Sequence, residues 1–451
     1  MPSENIETSL HQRDQVTCPA LFLTAPASNQ GKTTITAALA RHYSKLGKTV
    51  RVFKTGPDYL DPLILAQASG NPVEQLDIWM AGEAYCQERL FLAAKEADLI
   101  LVEGAMGMFD GEPSSADLAA CFGIPMAIVM DVKGMAQTAA AIANGLATFR
   151  EDITIAGLIA NRCGSERHAQ LIRDALPETV PLLAALKRDE EVTLPERHLG
   201  LVQAEEVTQE LEQRFDAAVD WLRQSDDKGL LSLPEPVVFS APDHSYEASV
   251  VEPILSGKTI AVAKDIAFSF IYQANLDALE RLGAKVCFFS PLHDSRLPQC
   301  DAVWLPGGYP ELHAHKLAEN TSIQTELSAF FETGKPILAE CGGMLYCFES
   351  LTDLEQNTLP MLGILQGQGA MRGKRGCQGM QTADCPQGAI RAHAHHRSRS
   401  ANTPEPVGYG RRQRHPAPGE PIYQVKGLTA SYLHFFFPSN LTAIAAIFSE
   451  R

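Results

Sequence analysis

No stretch of the 451 residues comes near 18 consecutive apolar residues, so no membrane-spanning helix is expected. The ten cysteines include no CxxC pair, which speaks against a zinc ribbon or a disulfide frame and for reduced thiols. Basic residues are in the minority: 38 Lys and Arg face 54 Asp and Glu, a formal net charge of −16 that disfavours nucleic acid as a partner. The opening MPSENIETSLHQRDQ is polar and has no apolar core, so it is not read as a secretory signal. A cytoplasmic location is therefore expected, with residues 1–17 as a disordered leader. What is present, 45% apolar and 20% charged residues, is an ordinary globular mix long enough for two or three domains. The acidity poses a problem if the substrate is itself an anion, because the local charge must then differ from the global one.

Apolar runs alternate with helical patterns through the first half. ALFLTA (20–25), TVRVFK (49–54), DLILVEG (98–104), IPMAIVMD (124–131) and TIAGLIAN (154–161) are near-continuous and suit a parallel sheet covered on both faces. Residues 33–46 place Ile35, Ala38, Leu39 and Leu46 near one helical face, with Gly47 as the stop. This predicts a doubly wound α/β domain over 18–223. Residues 224–257, rich in Pro, Ser and charge, read as a linker. The alternation then restarts with TIAVAKD (259–265), a helix near 269–282, AKVCFF (284–289), DAVWLP (301–306) and KPILAE (335–340), giving a second α/β domain over 258–451. Its 355–430 region is rich in turns and more β-like than helical.

TAPASNQGKTT (24–34) ends like a phosphate-binding loop but lacks the glycine that should open one. Gln30-Gly31-Lys32-Thr33-Thr34 follows a strand and opens a helix, the context in which backbone N–H groups bind phosphate. There Lys32 can bridge the β- and γ-phosphates, and the Thr33 hydroxyl can ligate Mg²⁺. Asn29 tolerates the left-handed backbone that a missing glycine would have supplied. KTGPDYLDP (54–62) and VEGAMGMFDG (102–111) end two further strands and deliver Lys54, Asp58, Asp61, Glu103 and Asp110 to the same sheet edge. Carboxylates and a lysine there are what a Mg-nucleotide needs.

In the second domain, AECGGM (339–344) sets Cys341 between an apolar strand and a helix-opening Gly-Gly, the arrangement of a nucleophile elbow. N–H groups after the turn would lower the thiol pKa and cradle an oxyanion. LPGGYPE (305–311) supplies a second glycine pair, so Gly308 and Gly342 are the candidate oxyanion hole, and His434 in SYLHFFF (431–437) is the candidate base. RAHAHHRS (391–398) holds three histidines with no cysteine or carboxylate at zinc spacing and reads as structural or substrate-facing. Between 371 and 415 nine Lys or Arg stand against Asp384 and Glu405, a local balance of +7 that could attract a polycarboxylate.

The first-half motifs, with LPERHLGL (194–201), resemble the cobyrinic acid a,c-diamide synthase family, whose ATP domain is similar to dethiobiotin synthetase. The second-half motifs resemble the class I glutamine amidotransferases, and together the likeness spans nearly the whole chain. It implies amidation of the a- and c-carboxylates of cobyrinate, or of cobalt-free hydrogenobyrinate, in cobalamin biosynthesis. ATP and Mg²⁺ are the implied cofactors, and glutamine and the corrinoid the implied partners. Lys32 and Lys54 would steady the phosphoryl group, and Thr33, Asp58 and Glu103 would hold the metal. By the same likeness Asn161 would touch the adenine. Asp110, Tyr59, Leu60 and Asp61 would lie near the acceptor carboxylate, and Arg197 and His198 in the acceptor wall. The family loop usually has Gly where this chain has Ala25 and Asn29. Many amidotransferases carry Glu two residues after the base. The cobyrinate branch lacks it and often has His there, whereas this chain has Phe436, so a modest, partner-stimulated glutaminase is expected. A cobyric acid synthase shares both domain types and is the enzymatic alternative. A P-loop ATPase switch is the non-enzymatic one, though such switches carry an early loop lysine where Ala25-Pro26-Ala27 stands. The metal state of the acceptor and a homodimer both stay open.

Overall fold

The computed structural model describes residues 14–192, 194, 204–225, 229–243, 252–373, 376 and 378–449. In β1 (Gln15–Thr24) Leu21 and Leu23 join one core cluster while Ala20 and Phe22 join another, as the two-residue period of a strand requires. A strand buried on both faces needs helices on both sides. Each fully buried Leu or Phe here contributes about 1.5–3 kcal/mol. The remaining parallel strands are β2 (Val50–Thr55), β3 (Glu74–Leu76), β4 (Leu99–Glu103), β5 (Met126–Asp131), β6 (Ile155–Cys163) and β7 (Leu182–Lys187). Their spatial order is β3-β2-β4-β1-β5-β6-β7, all neighbours parallel. The chain winds out from β1, returns to β4 beside it and continues on the other side, which is the doubly wound arrangement expected.

Two boundaries differ from the sequence reading. β1 begins at Gln15, inside the segment read as a leader, and β8 (Pro236–Ser240), inside the segment read as a linker, pairs antiparallel with Gln15–Pro19. Val237 and Phe239 are buried on β8 while Val238 faces out, so five residues suffice to fasten this segment to the first sheet.

The second sheet has ten strands. β9 (Thr259–Ala263), β10 (Lys285–Phe289), β11 (Ala302–Leu305) and β12 (Ile337–Glu340) are parallel in the order β10-β9-β11-β12. Leu428–Ser431 continues the sheet in parallel beside β12. Antiparallel strands then follow: Pro418–Val425, Gly408–Arg412, Gln378–Cys385, Gly388–His395 and Leu433–Phe435. A small four-stranded sheet built on Ser350–Thr352 completes the β-rich region.

The domains meet in an apolar seam where Met80 and Tyr85 of the first pack with Tyr272, Ala274 and Phe436 of the second. Polar links flank it. Gln413 Nε2 donates to the Glu112 carbonyl at 2.7 Å, and Arg414 lies 3.1 Å from the Glu112 carboxylate. Among the described residues no helix is long and apolar enough to cross a membrane.

Candidate active site

The loop after β1 is held by its neighbours. Asn29 has φ 62°, the left-handed value for which Asn serves in place of glycine. At Gly31, φ 94°, a Cβ would stand 2.3 Å from Asn161 Nδ2, so the position needs glycine for both backbone and space. Asn161 Nδ2 donates to the Gln30 carbonyl at 2.8 Å, and Gln30 Oε1 accepts from the Asp131 N–H at 2.8 Å. Asn161, which the resemblance puts at the adenine, lines the cavity and also fastens the loop. The helix α1 (Lys32–Lys45) starts at Lys32, whose Nζ donates to the Met106 carbonyl at 2.7 Å. Burial pulls the Lys32 ammonium down to about 8, partly countered by Glu103.

Lys54 is the hub of this end. Its Nζ lies 2.5 Å from Glu103 Oε1, 2.7 Å from Asp61 Oδ2 and 3.6 Å from Asp58 Oδ2. Burial pulls this ammonium down, but Glu103, Asp61 and Asp58 more than offset it and hold the pKa above the ordinary lysine value. The Thr33 hydroxyl sits 3.1 Å from Asp61 Oδ2 and 2.9 Å from Glu103 Oε1. Asp61 joins Thr33 and Glu103 here, while Asp58, also in the cavity lining, uses Oδ1 to accept the Leu60 and Asp61 N–H groups at 3.0 and 3.1 Å and leaves Oδ2 toward Lys54. Asp110 accepts from the Gly107 N–H at 3.0 Å and is among the charges acting on Lys32.

At the other end Cys341 has φ 45° and ψ −102°, a strained conformation for a side-chain-bearing residue and the hallmark of a nucleophile elbow. A Cβ on Gly342 would lie 2.9 Å from Gly308 N, so the two glycine loops meet beside the thiol. Two hydrogen bonds tie the Glu340–Cys341 turn to the second domain's sheet, one to the end of the Leu428–Ser431 strand and one to the Leu433–Phe435 strand that carries the base. The Cys341 N–H donates to the Ser431 carbonyl at 2.7 Å, and the Phe435 N–H donates to Glu340 Oε1 at 2.7 Å. Glu340 Oε2 accepts from Trp304 Nε1 at 2.8 Å, and burial pushes this carboxyl up to about 8. His434 is buried with neither ring nitrogen hydrogen-bonded, and burial holds its pKa well below the usual histidine range. Burial, then Glu311, push the Cys341 thiol above its ordinary value. Burial thus disfavours charge on both the thiol and the imidazole.

A single cavity of about 1690 Å³ is lined by Lys32, Thr33 and Asp61 from one domain and by Cys341, His434 and Gly308 from the other. Gln30, Gly31, Thr34, Tyr59, Leu60 and Asp110 line it too. Of the nine basic residues between 371 and 415, Arg372, Arg397, Arg412 and Arg414 face it, with His393, His395 and His396. Arg391 instead stacks on Trp79 at 4.3 Å, and Arg411 pairs with Asp384 at 2.6 Å. Lys374, Arg375, Arg197 and His198 lie outside the described residues. Sequence reasoning missed Glu340, although it adjoins the nucleophile, and the seam role of Phe436.

A phosphate-binding loop and a thiol elbow that open on one cavity define a glutamine-dependent amidoligase. The comparisons agree. Residues 21–202 match the CobQ/CobB/MinD/ParA nucleotide binding domain, and residues 259–441 match the CobB/CobQ-like glutamine amidotransferase domain. The chain is 50% identical over 430 residues to a hydrogenobyrinate a,c-diamide synthase of Stutzerimonas stutzeri, covering 95% of this chain and 98% of that one. It is 48% identical over 433 residues to a hydrogenobyrinate a,c-diamide synthase of Pseudomonas aeruginosa, with 96% and 98% covered. It is 45% identical over 432 residues to a cobyrinate a,c-diamide synthase of Herminiimonas arsenicoxydans, with 96% and 97% covered. The chain belongs to the cobyrinate and hydrogenobyrinate a,c-diamide synthase family.

Proposed function

We infer that this protein uses ATP and glutamine to convert the a- and c-carboxylates of cobyrinate or hydrogenobyrinate to amides. The observation that carries the reading is the shared cavity, whose lining includes the phosphate loop, the thiol elbow and four arginines of the second domain. In the second domain the Cys341 thiol gives its proton to neutral His434 as sulfur attacks the glutamine carboxamide carbon. The oxyanion develops toward Gly308 and Gly342. As the adduct collapses, His434 returns the proton to the leaving nitrogen, which departs as ammonia and leaves a γ-glutamyl thioester; water cleaves this to glutamate and restores the thiol.

In the first domain a substrate carboxylate attacks the γ-phosphorus of ATP, giving an acyl phosphate and ADP. Lys32 and Lys54 stabilise the charge on the phosphoryl oxygens. Ammonia then attacks the acyl carbon and phosphate leaves. A carboxylate is a poor electrophile, so activation is required. Free ammonia is largely ammonium at neutral pH, so a cavity common to both sites keeps the nucleophile from bulk water.

The oxygens of Thr33, Asp61 and Glu103 suit a hard divalent cation, since they converge around one hydroxyl and Glu103 Oε2 is buried with no hydrogen-bond partner. Mg²⁺ held there would neutralise phosphate charge. Arg372, Arg397, Arg412 and Arg414 give an acidic protein a positive wall for a macrocycle with many carboxylates.

The test is to incubate the purified protein with glutamine, MgATP and each macrocycle. Diamide, glutamate and ADP are expected with at least one of them, and no amide from either macrocycle overturns the reading.

A further inference from the structure

His434 lacks the carboxylate that orients the base in many amidotransferases, and neither of its nitrogens is hydrogen-bonded. Packing holds the ring instead. On one side is Gly307, where a Cβ would come within 2.2 Å of His434 Cε1. On another is Tyr59, whose ring lies 5.0 Å from the imidazole at 41°. Tyr59 belongs to the other domain. It also stacks on Phe270 at 4.9 Å and 15°, and packs against Tyr272 at 4.4 Å and 31°.

The position of Tyr59 is set by phosphoryl-transfer residues. Asp58, the residue before it, caps the Leu60 and Asp61 N–H groups, and Gln75 Nε2 donates to the Asp58 carbonyl at 2.8 Å. Asp61, two residues on, is bound by Lys54 and Thr33. The same short turn that carries Asp58 and Asp61 thus carries a ring that lies against the base of the other reaction.

We propose that Tyr59 is a positioning residue for His434, and that through it the phosphoryl-transfer loop sets the rate of glutamine hydrolysis. The ring takes the orienting part that a carboxylate plays elsewhere and makes it answer to the loop carrying Asp58 and Asp61. Ammonia is then released in step with carboxylate activation. The proposal rests on the two-site reading of the function.

The experiment measures glutamate formation with and without MgATP and the macrocycle, in the wild type and in Tyr59→Phe, Tyr59→Ala and Phe270→Ala. The wild type is expected to be stimulated, and Tyr59→Phe, which keeps the ring, to be stimulated within about twofold of it. With the macrocycle raised to saturate each variant, so that weakened acceptor binding is excluded, Tyr59→Ala and Phe270→Ala are expected to lose the stimulation. Their stimulated kcat should fall at least about tenfold with little change in KM for glutamine, within the ~10²-fold that a 1 Å misplacement can cost. Wild-type stimulation ratios in both alanine variants overturn the assignment, as does a Tyr59→Phe variant as impaired as Tyr59→Ala. Phe270→Ala acts from the second domain and so guards against a first-domain folding defect. Amidation by the wild type with ammonium separates the two levels. Amide formed there, beside unchanged ratios in the variants, removes only Tyr59, whereas no amide removes the reading beneath it.

Discussion

At the nucleotide end of the cavity, Lys54 meets Glu103, Asp61 and Asp58, Thr33 sits between two of them, and nearly every polar atom has an opposite. At the glutaminase end, Cys341 and His434 are buried where charge is disfavoured, both imidazole nitrogens lack hydrogen bonds, and rings and glycines are among the neighbours. The contrast follows from the chemistry each end performs. Phosphoryl transfer moves charge already present, so fixed opposite charges help throughout. Thiol attack creates charge only in passing, so a dry, neutral pair with N–H groups aimed at the developing oxyanion is the better resting state.

The sharpest way to break this comparison is to disable one end and watch the other. Cys341→Ala is expected to abolish glutamine-dependent amidation while synthesis from added ammonium continues. Loss with both nitrogen sources, measured as amide formed, would mean the thiol does more than release ammonia. Next in size is Lys54→Met, which leaves Asp58, Asp61 and Glu103 without their cation. Amidation should fail from either nitrogen source, and unfolding by urea at pH 7 should show a loss of about 3–5 kcal/mol, as for other broken buried pairs. Burial already pushes Asp58 and Glu103 up, and without Lys54 they rise further. The native variant then binds protons that the unfolded chain does not, so part of the lost stability returns as pH falls from 8 toward 5. A deficit that is the same at both pH values would contradict the charge argument.

The smallest effect tests the neutral end. Glu311 lines the cavity, raises the Cys341 thiol and is itself pushed up to about 7 by burial. Glu311→Gln should lower the thiol pKa by roughly one unit or less and speed iodoacetamide alkylation of Cys341 at fixed pH. Because the Glu311 charge develops only as pH rises through about 7, wild type and variant should agree at pH 6 and diverge at pH 9. Equal rates at pH 9 would remove Glu311 from the account.

Much of the site was legible because it is written at strand ends. GKTT, the loops after β2 and β4, the cysteine elbow and the Gly-Gly loop each announce themselves within a dozen residues, and each sits at the carboxyl edge of its sheet. What stayed hidden depends on a distant partner. β8 is a five-residue run between prolines and serines, and only its pairing with β1 makes it a strand. Asp58 and Asp61 are three residues apart with equal chemistry, and the turn between them decides which one reaches Thr33. Basic residues cluster from 371 to 415 in the sequence, but nothing local says that Arg391 goes to Trp79 and Arg411 to Asp384 rather than to the cavity.

Phe436 was the residue without an explanation, two places past His434. It has no exposed surface and packs edge-on against Tyr85 of the first domain at 5.9 Å and against Tyr272 at 5.7 Å. At a position where the resemblance leads one to expect a polar group, the ring is part of the glue between the two halves. Severed from each other, the two pieces would each bear a greasy scar beside the machinery, so neither can be exchanged for a foreign counterpart unless the graft also matches that oily contact.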